Sequence, residues 1–358
     1  MFSQRRLLIV SHEMTLSGAP IQLTYLVQWL QHRGWKTVVV APEPGPLAAK
    51  LEGIEIIYEP LLLIDPAYWA LRRLAPRFDL VLANTIATWE AVQACQFEHV
   101  PVVWYIHETQ VGAQLMQLIH MIEPSLGLAD AVVTPTCATA RVYAPFVRRS
   151  IDVVPYGIPA ANPGTPLSSG KLRFLVVATY EPRKGQDLLV EAVRQLSSGT
   201  HARTLFQFAG RTLDEPFYVA LRERSSDLDN VECLGPLEHE QALQMMRDAH
   251  VVVCPSRDET MPIVLLEAFS MSKAVVSFDV GGIREWIRDG LNGLLVPAED
   301  VSALAAAIER VAGDPNLRRN LGVAAHETFE RNFTIDRLGE QFEAVIDRTS
   351  GSYIAETT

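Results

Sequence analysis

The sequence predicts two doubly wound α/β domains in tandem, Rossmann-like and facing each other across a cleft. Three observations carry this expectation. Short β-branched apolar runs alternate with longer amphipathic stretches. A segment rich in proline, glycine and serine breaks the pattern near residue 160, and the same alternation then begins again. Continuous apolar runs joined by helices indicate parallel strands covered on both faces, the arrangement of a doubly wound sheet. A chain of 358 residues is also long for one ordinary core.

In the first half the apolar runs are RLLIVS, KTVVVAP, IEIIYEP, FDLVLAN, PVVWYIH, DAVVTPT and IDVVPYG. Between the first two, residues 21–32 have helical periodicity and meet a glycine stop at Gly34. The break, PAANPGTPLSSGK at 159–171, has no periodicity and predicts a linker. Six further runs follow: LRFLVVAT, TLFQFAG, NVECLG, HVVVCPS, AVVSFD and GLLVP. Helical stretches then occupy 301–311 and later segments out to about residue 348. The expected boundaries are 1–158 for the first domain, 159–171 for the linker, 172–333 for the second domain, and 334–358 for a C-terminal helix and tail. Ligands of such sheets bind beyond the carboxyl ends of the strands, so the loops following each run are where chemistry is sought.

Composition narrows the function. With 48% hydrophobic and 20% charged residues the chain reads as a globular protein. A net charge of −11 argues against nucleic acid as a partner, which requires a basic footprint. Residues 1–158 carry 11 basic against 13 acidic side chains, so most of the excess acid lies in the second half. Cys95, Cys137, Cys233 and Cys254 are scattered without a C-x-x-C pair and suggest reduced thiols, not a zinc or disulfide framework. The opening MFSQRRLLIVSHEM reads as a first strand and not a signal peptide. No run approaches the roughly 20 apolar residues that span a bilayer. The expected location is cytoplasmic.

Four loops could carry chemistry. SHEMTLSGAP leaves the first strand and enters a helix near Gly18, without the full G-x-G-x-x-G spacing. VATYEPRKGQDLLVEAV follows the first strand of the second half, and Arg183 and Lys184 precede Gly185 and a helix. Cations beside a helix start suit a phosphate, although a solvated basic turn fits that segment equally. RDETMPIVLLEAFSMSKAVV places Glu259 and Glu267 eight positions apart around an apolar stretch. Pro262 suits the first position of a helix, which would leave the N–H groups of Ile263 and Val264 to form an anion site. Glu267 then falls inside a helix whose apolar composition predicts burial, where a carboxylate requires a partner. VGGIREW offers Gly281 and Gly282 for close backbone approach to a ligand, or simply for a tight turn. Asp227-Leu228-Asp229 matches a metal-binding D-x-D but lies in a polar loop, and no metal site is expected. His107 stands apart from the other histidines because it closes an apolar run at its carboxyl end.

With these pieces in order the chain resembles the family 4 glycosyltransferases of the GT-B fold. The stretches that carry the resemblance are EPRKGQDLLVEA, FAGR, the segment from VECLG to VPAED, and more loosely SGAP…LVQWLQHRGWKTVVV. It spans nearly the whole chain, and the family's E-x7-E pattern is met by Glu259 and Glu267. The resemblance implies retaining, metal-independent transfer of a hexose-type sugar from a UDP- or GDP-linked donor bound mainly by the second domain. It implies Lys184 on the diphosphate, with Arg183 beside it, and Glu259 on the sugar hydroxyls. The backbone following Met261, at Ile263 and Val264, would support the phosphates and sugar, with Glu267 on the ribose diol. Gly210 of FAGR joins the donor-binding set. Gly18 approaches the donor from the first domain, and His107 lies near the sugar in a catalytic role. The resemblance also implies that the C-terminal helix packs back on the first domain.

Three positions depart from the family pattern. Ala178 stands where many members have an arginine, Pro262 where many have glycine, and Ser17 precedes Gly18 in place of a second glycine. A sugar-nucleotide epimerase, a phosphorylase, or a non-catalytic sugar-nucleotide-binding subunit are the rival classes. The acceptor is expected to be a glycan, a lipid-linked sugar or a small molecule. Arg72, Arg73, Arg77, Arg148 and Arg149 suggest a peripheral contact with the anionic inner membrane surface.

Overall fold

The computed structural model describes residues 5–162 and 170–357, with side chains as far as 351. Its contacts divide into two units, Met1–Ile158 with Phe333–Thr358, and Pro159–Asn332. Most of the expected linker, 163–169, lies outside the described residues.

The first unit holds a seven-stranded sheet. Its strands are β1 (Arg6–Ser11), β2 (Lys36–Ala41), β3 (Glu55–Tyr58), β4 (Leu80–Asn84), β5 (Val102–Tyr105), β6 (Ala131–Thr134) and β7 (Ile151–Val153). Their order is β3-β2-β1-β4-β5-β6-β7, with every neighbouring pair parallel. All residues of β4 and β5 are buried, which is why these segments, Asn84 apart, are apolar instead of alternating. On one face Leu8, Val81 and Trp104 pack with Ala91, Val92 and Cys95 of the helix Trp89–Glu98.

The C-terminal helix, Ile335–Thr357, belongs to this unit. It buries Leu338, Phe342 and Ile346. The Phe342 ring meets Tyr105 at 4.8 Å, and the indole N–H groups of Trp29 and Trp35 donate to Asp336 and Glu343 at 3.0 and 3.2 Å.

The second unit holds a six-stranded parallel sheet. Its strands are β8 (Leu172–Val177), β9 (Thr204–Ala209), β10 (Val231–Cys233), β11 (Val251–Cys254), β12 (Ala274–Phe278) and β13 (Leu294–Val296), in the order β10-β9-β8-β11-β12-β13. Both sheets therefore reverse direction once, between β1 and β4 and between β8 and β11. Such a switch point is where helices leave to opposite faces and the loops above the strands part to receive a ligand. No helix among the described residues is long and apolar enough to cross a membrane.

One buried acid has a measurable consequence. Glu90, at 6% exposure, has an Oε2 without a hydrogen-bond partner among the described residues, and burial pushes its carboxyl up to about 7. A carboxyl whose pKa is raised on folding favours the fold while it is protonated. Its contribution is present below the unfolded value near 4.5 and is lost as pH rises through about 7. Glu90→Gln is expected to flatten that part of the stability–pH curve and to stabilise the protein at pH 8 by an amount on the order of 1–3 kcal/mol. Urea unfolding at pH 5 and pH 8 measures both effects.

Candidate active site

At the switch point of the second sheet, the loops after β8 and β11 are joined backbone to backbone. The β8 loop makes a short turn, Pro182–Lys184, before the helix Gln186–Arg194. Gly185 between them has φ +66°, and a Cβ there would lie 1.8 Å from the carbonyl oxygen of Pro255. Only glycine lets the two loops approach so closely. The Arg257 N–H then donates to Arg183 O at 2.8 Å. The Arg257 guanidinium grips both oxygens of Asp187 at 2.9 and 2.7 Å, donates to the Pro182 carbonyl and reaches Glu299 at 2.9 Å. A planar fork on a carboxylate fixes direction as well as distance.

This joining brings Lys184 to Glu259. The ammonium lies 2.6 Å from Oε1, and Ser256 Oγ donates to the same oxygen at 2.9 Å. Glu259 is 8% exposed, so its charge is held by these two partners and not by water. Asp258 beside it has its carboxyl pushed up, by burial first and then by the neighbouring Glu259 charge.

Helix Ile263–Ser270 follows. Pro262 is the residue before the helix and not its first position, with an extended ψ of 121°. Its carbonyl already accepts from the Leu265 N–H at 3.0 Å. The shift of one place leaves the argument for proline intact, because a missing N–H is harmless on either side of a helix start. Ile263 and Val264 occupy the first two helical positions, whose N–H groups have no acceptor within the helix.

Glu267 has the partner that its apolar surroundings require. Its side chain is mostly buried, and Oε1 meets His239 Nε2 at 2.7 Å. His239 begins the helix His239–Asp248, and its side chain is 47% exposed.

The remaining sequence-selected residues are distributed as follows. Arg183 donates to Glu181 at 3.0 Å and to the Asp258 carbonyl at 3.4 Å, which keeps it on the Lys184 loop but commits part of its fork. Met261 is buried. Gly210 closes β9, and a Cβ there would meet the Ala178 carbonyl at 1.9 Å, so its glycine is required by backbone packing. Gly281 has φ +53°, and its Cβ would meet the Glu259 carbonyl at 1.7 Å. Asp227 gives both carboxylate oxygens to Arg194 at 2.8 and 2.7 Å.

Gly18 and His107 belong to the first unit. Gly18 is exposed and opens the helix Gly18–His32, while Ser17 and Thr15 both donate to Glu13 at 2.6 and 2.7 Å. His107 is buried, with Nε2 2.8 Å from Asn84 Oδ1 and Nδ1 2.9 Å from the Tyr156 hydroxyl. Burial, and then the nearby His12, pushes its pKa down to about 3, so the ring is neutral. One nitrogen donates to Asn84 and the other accepts from Tyr156. Both ring nitrogens are therefore engaged within the first unit.

Two family models divide the chain between them. The one for Glycosyltransferase Family 4 matches residues 16–162, and the one for Glycosyl transferases group 1 matches residues 160–328. The chain belongs to the family 4 glycosyltransferases. Glycogen synthase of Mycobacterium tuberculosis is 26% identical to this glycosyltransferase over 298 residues, covering 78% of the chain and 69% of the relative. D-inositol 3-phosphate glycosyltransferase of Acidothermus cellulolyticus is 31% identical over 254 residues, covering 63% and 55%. Among solved structures, Anabaena Alr3699/HepE in complex with UDP-glucose superposes with a TM-score of 0.82 at 19% identity, covering 96% of this chain and 99% of that one. Sucrose-phosphate synthase from Thermosynechococcus elongatus gives 0.80 at 19%, covering 98% and 100%. Both likenesses concern the fold, two Rossmann-like units of the GT-B type.

Sequence reasoning missed the groups that hold this glycosyltransferase's loops in place, namely Ser256, Arg257, Asp187 and His239. Asp187 and Arg257 are seventy positions apart, and no periodicity or local spacing links them. For Ser256 a weak signal existed, since a hydroxyl three residues before an acid in a loop often bonds it.

Proposed function

We propose that this glycosyltransferase moves a hexose-type sugar, with retention and without a metal, from a UDP- or GDP-linked donor to a hydroxyl acceptor. The observation that carries the reading is the placement of Lys184 and Glu259 together above β8 and β11, with the helix start at Ile263 on the same loop as Glu259. A nucleoside diphosphate leaves with charge growing on its bridging oxygen. A lysine and the open N–H groups of Ile263 and Val264 are the partners that charge needs, and they supply what a divalent cation would otherwise provide. The UDP-glucose held by the Anabaena structure supports a sugar nucleotide as donor.

In this reading the donor diphosphate takes Lys184 from Glu259, which frees the carboxylate to accept from sugar hydroxyls. Glu267 exchanges His239 for the ribose diol. Retention follows if the acceptor attacks from the face the diphosphate leaves, with a departing phosphate oxygen taking the acceptor's proton. No protein nucleophile is then required.

The test is a thermal-shift panel of UDP, GDP and ADP with their sugars, because a ligand that binds the native state raises its melting temperature. One uridine or guanosine pair is expected to stabilise the protein, in EDTA as well as in magnesium. A flat panel, or a shift that needs the metal, overturns the reading. Glu267→Ala is expected to weaken the free nucleotide about 10-fold or more by calorimetry, as for losing a charge-assisted hydrogen bond. Unchanged affinity removes Glu267 from the ribose.

A further inference from the structure

Away from the β8–β11 loops, the first unit carries a recess of about 530 Å³ between the segment 59–73 and the end of the helix Trp89–Glu98. Trp69 stands in it 67% exposed, with Leu61 beside it at 55%. Asp65 fixes the indole's backbone, accepting from the N–H groups of Ala67 and Trp69 at 3.0 and 2.7 Å.

The polar lining is paired but not exhausted. Arg72 donates through Nε to Glu98 at 2.6 Å, and Arg73 through Nη2 to Glu59 at 3.1 Å. A guanidinium has five donors and a carboxylate about four lone-pair sites, so donors and acceptors remain on both pairs. The Arg72 guanidinium also lies over one face of the Trp69 ring, 5.6 Å from its centre, which leaves the opposite face to a ligand. These pairings change the meaning of Arg72 and Arg73. With Glu59, Asp65 and Glu98 in the same recess, acid outnumbers base three to two, which removes the attraction for an anionic lipid surface or a phosphate.

A flat aromatic face beside planar groups that both donate and accept, with no net positive charge, is matched by one ligand chemistry. Pyranose rings present an apolar C–H face to an indole and a rim of hydroxyls that donate and accept at once. We infer that this recess binds a neutral oligosaccharide through stacking on Trp69 and hydroxyl contacts to the Arg72–Glu98 and Arg73–Glu59 pairs. The inference goes beyond the transfer reaction and holds whether or not the donor site binds a sugar nucleotide. Such a site would keep a glycan chain on the protein without taking part in chemistry.

The experiment is calorimetry on the full chain with maltohexaose and cellohexaose, one α-linked and one β-linked neutral probe. At least one is expected to bind with a Kd of about 1 mM or tighter. Trp69→Ala should weaken that binding at least 10-fold, and Trp69→Phe should restore most of it by keeping a flat ring. An unaltered melting temperature for Trp69→Ala separates lost contact from lost fold. Binding of neither sugar overturns the inference. So does parent-like binding by Trp69→Ala, or tighter binding of a sulfated oligosaccharide than of either neutral probe.

Discussion

Lys184→Ala is expected to lower kcat about 100-fold or more, the usual cost of removing one donor from a developing oxyanion. Two effects must be separated. Lys184 is the counter-ion of a buried carboxylate, 2.6 Å away, so its loss also leaves Glu259 held by the Ser256 hydroxyl. A buried charge that loses its partner destabilises the fold, by several kcal/mol where burial is complete and less here because the lysine side chain is 16% exposed. The double variant Lys184→Ala/Glu259→Gln distinguishes the two. It should recover most of the melting temperature, since no unpaired charge remains, yet stay as slow as the single variant. Recovery of kcat along with stability would reduce Lys184 to a counter-ion and remove it from the chemistry.

How much of this was legible in the sequence depends on the range of the interaction. The central strands, such as β1, β4, β5, β11 and β12, were visible because burial on both faces makes each a short, largely apolar run. The helix start at 262–263 was visible because capping chemistry is local, although its position slipped by one residue. Pairings across the sheet were not visible. Glu259 and Lys184 are 75 positions apart, and only the adjacency of β8 and β11 brings them together. Read singly, they were assigned to different parts of a donor; in the structure they hold each other until something replaces one of them. His107 shows the same limit. Its place at the end of β5 was correct, but its two partners come from Asn84 at the end of β4 and from Tyr156 beyond β7, and they engage both nitrogens.

Gly281 offers the second large effect, and it sits in a turn closed by the Ile283 N–H on the Val280 carbonyl at 3.1 Å, the tight-turn reading of the sequence. The glycine pair after β12 was taken to admit a ligand or a tight turn. What Gly281 admits is the backbone of the Glu259 loop, since a Cβ would fall 1.7 Å from the Glu259 carbonyl oxygen. No rotamer relieves that contact, because the obstructed atom is main chain. Alanine at φ +53° adds a backbone cost of roughly 1–2 kcal/mol. The loop bearing Glu259 must therefore move. A displacement near 1 Å in a positioning group costs about 100-fold in rate, so Gly281→Ala is expected to lower kcat/KM by about that factor with the far-UV circular dichroism unchanged. Gly199→Ala is the control, because a Cβ there meets nothing within 4 Å, and it should behave as the parent. Parent-like activity in Gly281→Ala would mean that the Glu259 loop tolerates displacement. Its close seating against Gly185 and Gly281 would then be a matter of packing, and the case for Glu259 as a positioned donor contact would fall with it.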